Sequence, residues 1–154
     1  MSENMKITLI NPPYFEIEDD HVEQNLGIAY LAAVLIENGF KDTSILELTG
    51  ISDMEDCLRK IYSSDIYGIS CYTTSYKNVL QIIRYIKKEI NPSAYIFIGG
   101  PHPSALPEET YRESGADLIV VGEGERAVLE TAKQVEKGTP LKGIVRYKEI
   151  ENLD

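Results

Sequence analysis

The sequence predicts an α/β domain, a flavodoxin-like or Rossmann-like doubly wound sheet of five parallel strands in the order 2-1-3-4-5, with helices on both faces. Three observations carry this. Five short β-rich apolar runs alternate with helical patterns, in the order βαβαβαβαβα. The runs are near-continuous in apolar residues, as strands of a parallel sheet covered on both faces read. The length, 154 residues, is that of one ordinary domain, and 43% hydrophobic residues suffice for a proper core. A single domain over residues 1–154 is expected, with its core at about 5–138.

The first strand is KITLI (6–10). About fourteen residues, NPPYFEIEDDHVEQ, lead to a helix over 25–38, where Ile28, Leu31, Ala32, Leu35 and Ile36 make one stripe. Gly39 stands where a left-handed residue would stop it. TSILEL (43–48) is the second strand. Ser52 and Glu55, three apart, read as a capping box for a second helix through Met54, Leu58 and Ile61. The third strand is IYGISCY (66–72). A third helix, about 75–90, carries Val79, Ile82, Ile83, Ile86 and Ile90 and stops at Asn91-Pro92. AYIFIG (94–99) is the fourth strand. A short fourth helix opens at Pro107, with Glu108 and Glu109 favoured by its dipole, and ends at Gly115. DLIVVG (117–122) is the fifth strand, and a fifth helix runs from about 124 to 137. The tail GIVRYKEIENLD has the pattern for one small added strand at 143–148.

The formal charge is −10, from 25 acidic and 15 basic residues. That balance argues against nucleic acid and against an anionic membrane surface. No apolar run approaches the roughly 18 residues of a transmembrane helix. The N-terminus, MSENMKITLI, lacks a basic segment followed by an apolar one, so no signal peptide is expected. Met5 can serve as a natural start, with MSEN as an extension. Cys57 and Cys71 are far apart and no C-x-x-C occurs, against a zinc knuckle or a redox pair. A reducing, cytoplasmic location is the expectation.

Parallel strands point one way, so the loops after them share one edge of the sheet. Four of these loops are rich in Gly, Pro, Thr, Ser or Tyr: NPPYFE, CYTTSY, GGPHPS and GEGER. They follow strands one, three, four and five, whereas strand two ends in an ordinary turn, LELTGIS. In the order 2-1-3-4-5 the four form a contiguous row beside the switch point, a groove suited to a large ligand. The long first connection exceeds the usual two to six residues, and long loops at this edge commonly bind ligands.

The candidate binding residues are Pro12, Pro13 and Tyr14; Ser70, Tyr72, Thr73 and Thr74; Gly99, Gly100, Pro101 and His102; and Gly122, Glu123, Gly124 and Glu125. Gly99-Gly100 either admits a close ligand or makes a tight turn. His102, held between two prolines, is a ligand contact or a satisfied surface histidine. The hydroxyls after strand three either cap the third helix or donate to a ligand. GEGERA (122–127) matches G-x-G-x-x-A, but no further βαβ unit supplies a ribose carboxylate, and Glu123 and Glu125 would repel a pyrophosphate. No P-loop, Ser-centred elbow or Cys/His pair appears. Asp19-Asp20 lie too far along the first loop for the acidic pair of a phosphoryl-accepting receiver, and Asn11-Pro12-Pro13 stands at the strand end instead. The row reads as a binder, and no catalytic or metal-ligating residue is assigned.

KITLINPPY, LGIAYLAAVLIENGF, YGISCYTT, IGGPHPSALPEE and DLIVVGEGE occur in that order. Together they closely resemble the N-terminal cobalamin (B12)-binding domain of B12-dependent radical S-adenosylmethionine enzymes, over roughly residues 5 to 154. The resemblance implies a Rossmann-like domain whose strand edge holds cobalamin, the corrin over the edge and the nucleotide tail beside the sheet. It implies that Ser70, Thr73, Gly99, Gly100 and the Gly122–Glu125 loop line the tail and the corrin edge. Pro12, Pro13 and Tyr14 would cover the lower face. Classical cobalamin domains carry D-x-H-x-x-G after strand one, and its His ligates cobalt; N-P-P-Y-F-E stands there. A base-off state without a protein histidine on cobalt is therefore expected, with His21 of the first loop as a minor alternative ligand. The cluster motif C-x-x-x-C-x-x-C is absent, so this chain is expected to be a piece or separately made domain of a longer enzyme. S-adenosylmethionine, a [4Fe-4S] cluster and a C-terminal radical domain would belong to that longer protein, with IENLD as the linker. Two other readings stay open: a stand-alone α/β enzyme acting on a nucleotide or sugar, and a partner-binding domain without a ligand.

Overall fold

The computed structural model describes residues 5–14, 26–122 and 124–147. His21, Asp19, Asp20, Glu123, the MSEN segment and the IENLD tail lie outside these residues. The elements are β1 (Ile7–Asn11), α1 (Leu26–Glu37), β2 (Thr43–Glu47), α2 (Met54–Arg59), β3 (Ile66–Ser70), α3 (Tyr76–Tyr85), β4 (Tyr95–Gly99), α4 (Pro101–Ala105), α5 (Pro107–Ser114), β5 (Leu118–Gly122), α6 (Gly124–Glu136) and β6 (Gly143–Tyr147). A 3₁₀ turn at Thr73–Ser75 precedes α3, and a π turn at Ile86–Ile90 extends it.

The sheet is parallel throughout, in the order β2-β1-β3-β4-β5-β6. The expected order of the first five strands holds, but among the described residues the sheet has six strands, not five. β6 is as long as the others and pairs with β5 from Leu118↔Gly143 to Gly122↔Tyr147. Without it the edge of β5 would expose a row of unpaired backbone groups. Tyr95 Oη donates to Leu141 O at 2.5 Å and Gly143 N to Asp117 O at 3.0 Å, which ties the incoming chain to the sheet.

Two layers cover the sheet. On one face α1 and α6 bury Ile28, Ala32, Leu35, Ala127, Val128 and Ala132 against Ile7, Leu9, Ile66, Tyr95, Phe97, Leu118 and Val120. On the other, α2 and α3 bury Cys57, Val79, Ile82 and Ile83 against Ile10, Ile69, Ile96, Ile98 and Ile119. Each buried Val, Leu, Ile or Phe among them contributes about 1.5–3 kcal/mol on leaving water. The apolar stripe of α1 therefore does what its spacing predicts, except that Ile36 stays 44% exposed beside the edge strand.

Two local expectations are corrected. The N-cap of α2 is Asp53, in extended conformation, whose carboxylate accepts from Asp56 N at 2.8 Å; Ser52 lies one residue outside. The helix starts one residue later than a Ser52–Glu55 box requires, and an ionised carboxylate suits the positive end of the helix better than a hydroxyl. The segment after Gly100 is also not a bare loop. Pro101 to Ala105 form α4, with Ser104 N bonded to Gly100 O and Leu106 N to His102 O. Prolines suit this first turn because its N–H groups have no partner inside the helix.

Gly100 makes the turn possible. Its φ of 116° and ψ of −173° are open to glycine alone, and a Cβ there would sit 2.7 Å from Cys71 O. Gly115 also has positive φ, but a Cβ there would meet nothing within 4 Å. Gly100→Ala is expected to cost about 3 kcal/mol or more, and Gly115→Ala about 1–2 kcal/mol. Urea unfolding of both variants checks this, and equal losses would contradict it.

Candidate functional site

On the face covered by α1 and α6, the side chains shrink toward the carboxyl ends of the strands. The row Ile7, Ile66 and Tyr95 is large and buried. One step up, Leu9 pairs with Gly68 and Gly68 with Phe97. One step further, Ser70 pairs with Gly99, and β5 ends at Gly122. The opposite face shows no such taper and keeps Ile69, Ile98 and Ile119 fully packed. Helices α1 and α6 therefore cannot close onto the sheet at its carboxyl edge.

The result is a cavity of about 570 Å³ between this end of the sheet and the two helices. That volume lies in the range of small-molecule sites, roughly 300–1,000 Å³. Leu9, Gly68, Phe97 and Val120 line it from the sheet; Ile28, Leu31 and Val128 line it from the helices. Gly68 has no room for a side chain, because a Cβ would collide with the Phe97 ring and lie 2.8 Å from Leu9 Cδ2. Gly99 differs. A Cβ there would meet only Val120, at an ordinary 3.7 Å, so its missing side chain leaves cavity space.

Of the residues singled out in the sequence, Ser70, Tyr72, Gly99, Gly100, Pro101, Gly122, Gly124 and Glu125 line this cavity. Gly122 has a second reason to be glycine: its φ is 96° and a Cβ would strike the Tyr147 carbonyl on β6. Glu123 lies outside the described residues. Thr73 and Thr74 are exposed on the 3₁₀ turn after β3 and are not part of the lining. Tyr72 N donates to Ser75 Oγ at 3.1 Å, so the buried Ser75 does the local capping. Pro12 and Pro13 are buried, and Pro13 O accepts from Asn78 Nδ2 at 2.8 Å, which pins the start of the first loop onto α3. Tyr14 is half-buried just beyond. Asn11 does not face the cavity chemistry. Its amide donates to both Glu47 carboxylate oxygens, at 2.9 and 3.0 Å, and joins the ends of β1 and β2.

His102 is neither a surface residue nor part of the cavity lining. It is 6% exposed, its ring stacked on Tyr76 with centroids 3.9 Å apart. Its Nδ1 lies 3.3 Å from Thr73 Oγ1, and its backbone N–H donates to Cys71 O. The side chain thus fastens α4 to the start of α3, and through α4 it holds Gly100 and Pro101 at the cavity mouth. Burial raises the Tyr76 hydroxyl above its ordinary value, reinforced by the charge of Glu113.

The row of loops was readable from the sequence; the depth of the cavity was not. Leu9, Phe97, Val120 and Val128 look like ordinary core. The one available signal was Gly68, because a glycine inside a strand marks a close approach of something else. Among the described residues no group of His, Cys, Asp and Glu is arranged to hold a metal ion. No helix among them is long and apolar enough to cross a membrane.

An apolar cavity under the carboxyl edge of a parallel sheet defines a ligand-binding α/β domain of flavodoxin type. The chain belongs to the B12-binding domain family, whose model matches residues 17–132. It is 35% identical over 157 aligned residues to the uncharacterized methyltransferase PH0819 of Pyrococcus horikoshii, covering 96% of this chain and 33% of that protein. The chain thus spans about a third of that relative. In structure it resembles the radical S-adenosylmethionine methyltransferase TsrM of Kitasatospora setae, with a TM-score of 0.71, 19% identity and coverage of 88% of this chain and 26% of TsrM. It also resembles a cobalamin-binding protein of Desulfitobacterium hafniense, with a TM-score of 0.59, 14% identity and coverage of 86% and 59%. The response regulator DrrB of Thermotoga maritima shares the fold, with a TM-score of 0.63, 17% identity and coverage of 89% and 54%.

Both cysteines are fully buried. Burial pushes the Cys71 thiol up from 9.0 to about 12. It pushes Cys57 up from 9.0 to about 11, with Asp53 and Asp56 adding to the shift. Neither is poised as a nucleophile. Between pH 9 and these values the unfolded thiols ionise while the folded ones keep their protons. The unfolded state then binds fewer protons, so stability falls as pH rises through this window, by up to about 1.4 kcal/mol per pH unit for each thiol. Urea unfolding from pH 8 upward should show the fall, and Cys71→Ala should lessen it. At pH 8 a thiol reagent should label both residues only after unfolding; labelling of the folded chain within minutes would contradict their burial.

Proposed function

We propose that this chain binds cobalamin at the carboxyl edge of its sheet, base-off, with the nucleotide tail in the cavity and the corrin over the edge. One observation carries the reading: an apolar slot that a tapering sheet face holds open within a B12-binding domain. A flat base on a flexible tail suits such an apolar slot, and the broad corrin suits the open edge above it. A tail held there is withdrawn from cobalt. Ser70, Tyr72, Gly99, Gly100, Pro101, Gly122, Gly124 and Glu125 would flank the tail and the corrin edge. Pro12, Pro13 and Tyr14, fixed beside α3, would lie under the lower face together with Thr73 and Thr74. The prolines have no N–H to donate and no side-chain atom that ligates a metal. His102 would act at one remove, by holding α4 and the mouth in place, since its ring is stacked on Tyr76.

In the longer protein the domain would serve a cytoplasmic radical S-adenosylmethionine enzyme with a [4Fe-4S] cluster, in methyl transfer or related radical chemistry. What supports this is the methyltransferase name of PH0819 and the likeness to TsrM. Cobalamin would supply cobalt chemistry when bound; the residues of the carboxyl edge would bind it, orient it and exclude water from its tail. The stand-alone α/β enzyme reading is weaker, because the described residues of the lining carry no acid–base pair.

The test is retention of hydroxocobalamin by the purified chain after desalting, read in the visible spectrum and in thermal stability. Retained corrinoid with a base-off band is expected. Saturation at a hundredfold excess over Kd should stabilise the fold by about 2.7 kcal/mol. A Cβ at position 99 meets no atom closer than 3.7 Å, so Gly99→Leu should take up cavity space and weaken retention at least ~10-fold while leaving the Tm within a few degrees. A colourless wild-type protein, or equal retention by the variant, would count against the proposal.

A further inference from the structure

The cavity differs in chemistry between its mouth and its depth. Among the described residues, the polar side chains on its lining are Tyr30, Ser70, Tyr72 and Glu125. Ser70 is the last residue of β3, Tyr30 and Tyr72 are 55% and 41% exposed, and Glu125 is exposed. All four belong to the mouth. Deeper, the Phe97 ring lies across Gly68 beside Leu9, and Val128 closes the slot from α6; Leu31, half-buried beside Gly124, adds an apolar wall nearer the mouth. The backbone groups of Leu9, Gly68 and Phe97 offer no partner either. Their strands are each flanked on both sides in the sheet, so those groups are committed to the ladder.

We infer that the chain selects among corrinoids by the base of the nucleotide tail, accepting an apolar benzimidazole and discriminating against a purine. This rests on the reading that the tail enters the cavity. A benzimidazole released from cobalt presents one ring-nitrogen lone pair; its remaining edge is C–H and methyl. An adenine in the same place adds two ring nitrogens and an exocyclic amine. Each would leave water for a wall of Phe97, Leu9, Leu31 and Val128 that returns no hydrogen bond. An unpaired polar group in such a place lowers affinity by roughly 5- to 150-fold. The same wall favours the benzimidazole, whose flat apolar faces stack on the ring of Phe97. Adenine also leaves cobalt more readily than a benzimidazole, so coordination alone would favour the purine form. A preference for cobalamin therefore reports the cavity.

The test is equilibrium binding of three corrinoids to the full chain: cobalamin, its adenine-based analogue pseudocobalamin, and cobinamide, which lacks the nucleotide tail. Cobalamin is expected to bind at least ~10-fold more tightly than pseudocobalamin, and more tightly than cobinamide. Equal affinity for cobalamin and pseudocobalamin, with both tighter than cobinamide, would overturn base selection and leave the tail in the cavity. Cobalamin binding no more tightly than cobinamide would remove the tail from the cavity and overturn both. Retention of none of the three would overturn the cofactor reading, and this inference with it.

Discussion

A parallel sheet must be covered on both faces, and here one face is deliberately under-filled. Close packing is the default of a protein interior, and a gap loses the dispersion contacts of its lining. The α1 and α6 face accepts that loss at its carboxyl end, where Gly68, Ser70, Gly99 and Gly122 replace the large residues found lower down. The opposite face, built by the same strands, stays packed with Ile69, Ile98 and Ile119. The filled face makes the sheet rigid, and that rigidity keeps the other face open. The lining and the position of the mouth follow from this asymmetry.

The glycines at this edge have different reasons, although they look alike in sequence. Gly99 yields space to the cavity. Gly100 yields space to the backbone of Cys71 and adopts a conformation closed to other residues. Gly122 yields to the carbonyl of Tyr147 on the added sixth strand, and Gly68 to the ring of Phe97. Such close approaches place the loops on neighbouring elements rather than on flexible stretches. Asn11 bonded to Glu47, Pro13 bonded to Asn78 and His102 stacked on Tyr76 act in the same way. The edge is thereby a fixed frame, which lowers the cost of ordering loops around a ligand.

The described residues fit the proposed role of holding a cofactor. Both thiols are buried and protonated, the first loop opens with prolines, and the two helix layers supply apolar walls. A cofactor with its own reactive metal needs orientation, exclusion of water and a place for its tail, and little acid–base help from the protein.

By itself the sequence determined the parallel order of the first five strands, the helices between them and the row of loops on one edge. These are legible because strand and helix periodicities are local, and a parallel connection has one hand. It also determined the glycine pair at 99–100 and the hydroxyl-rich turn after β3, through residue types with narrow conformational uses. Only the tertiary structure decided that β6 is a full strand, that Asp53 caps α2, and that His102 is buried under α3's first turn rather than lining the groove. It alone decided that Leu9, Gly68 and Phe97 floor a cavity. In the chain these three read as core, each within its own apolar run. Their meaning appears only when strand register sets them side by side and two helices from distant segments fail to meet the sheet above them.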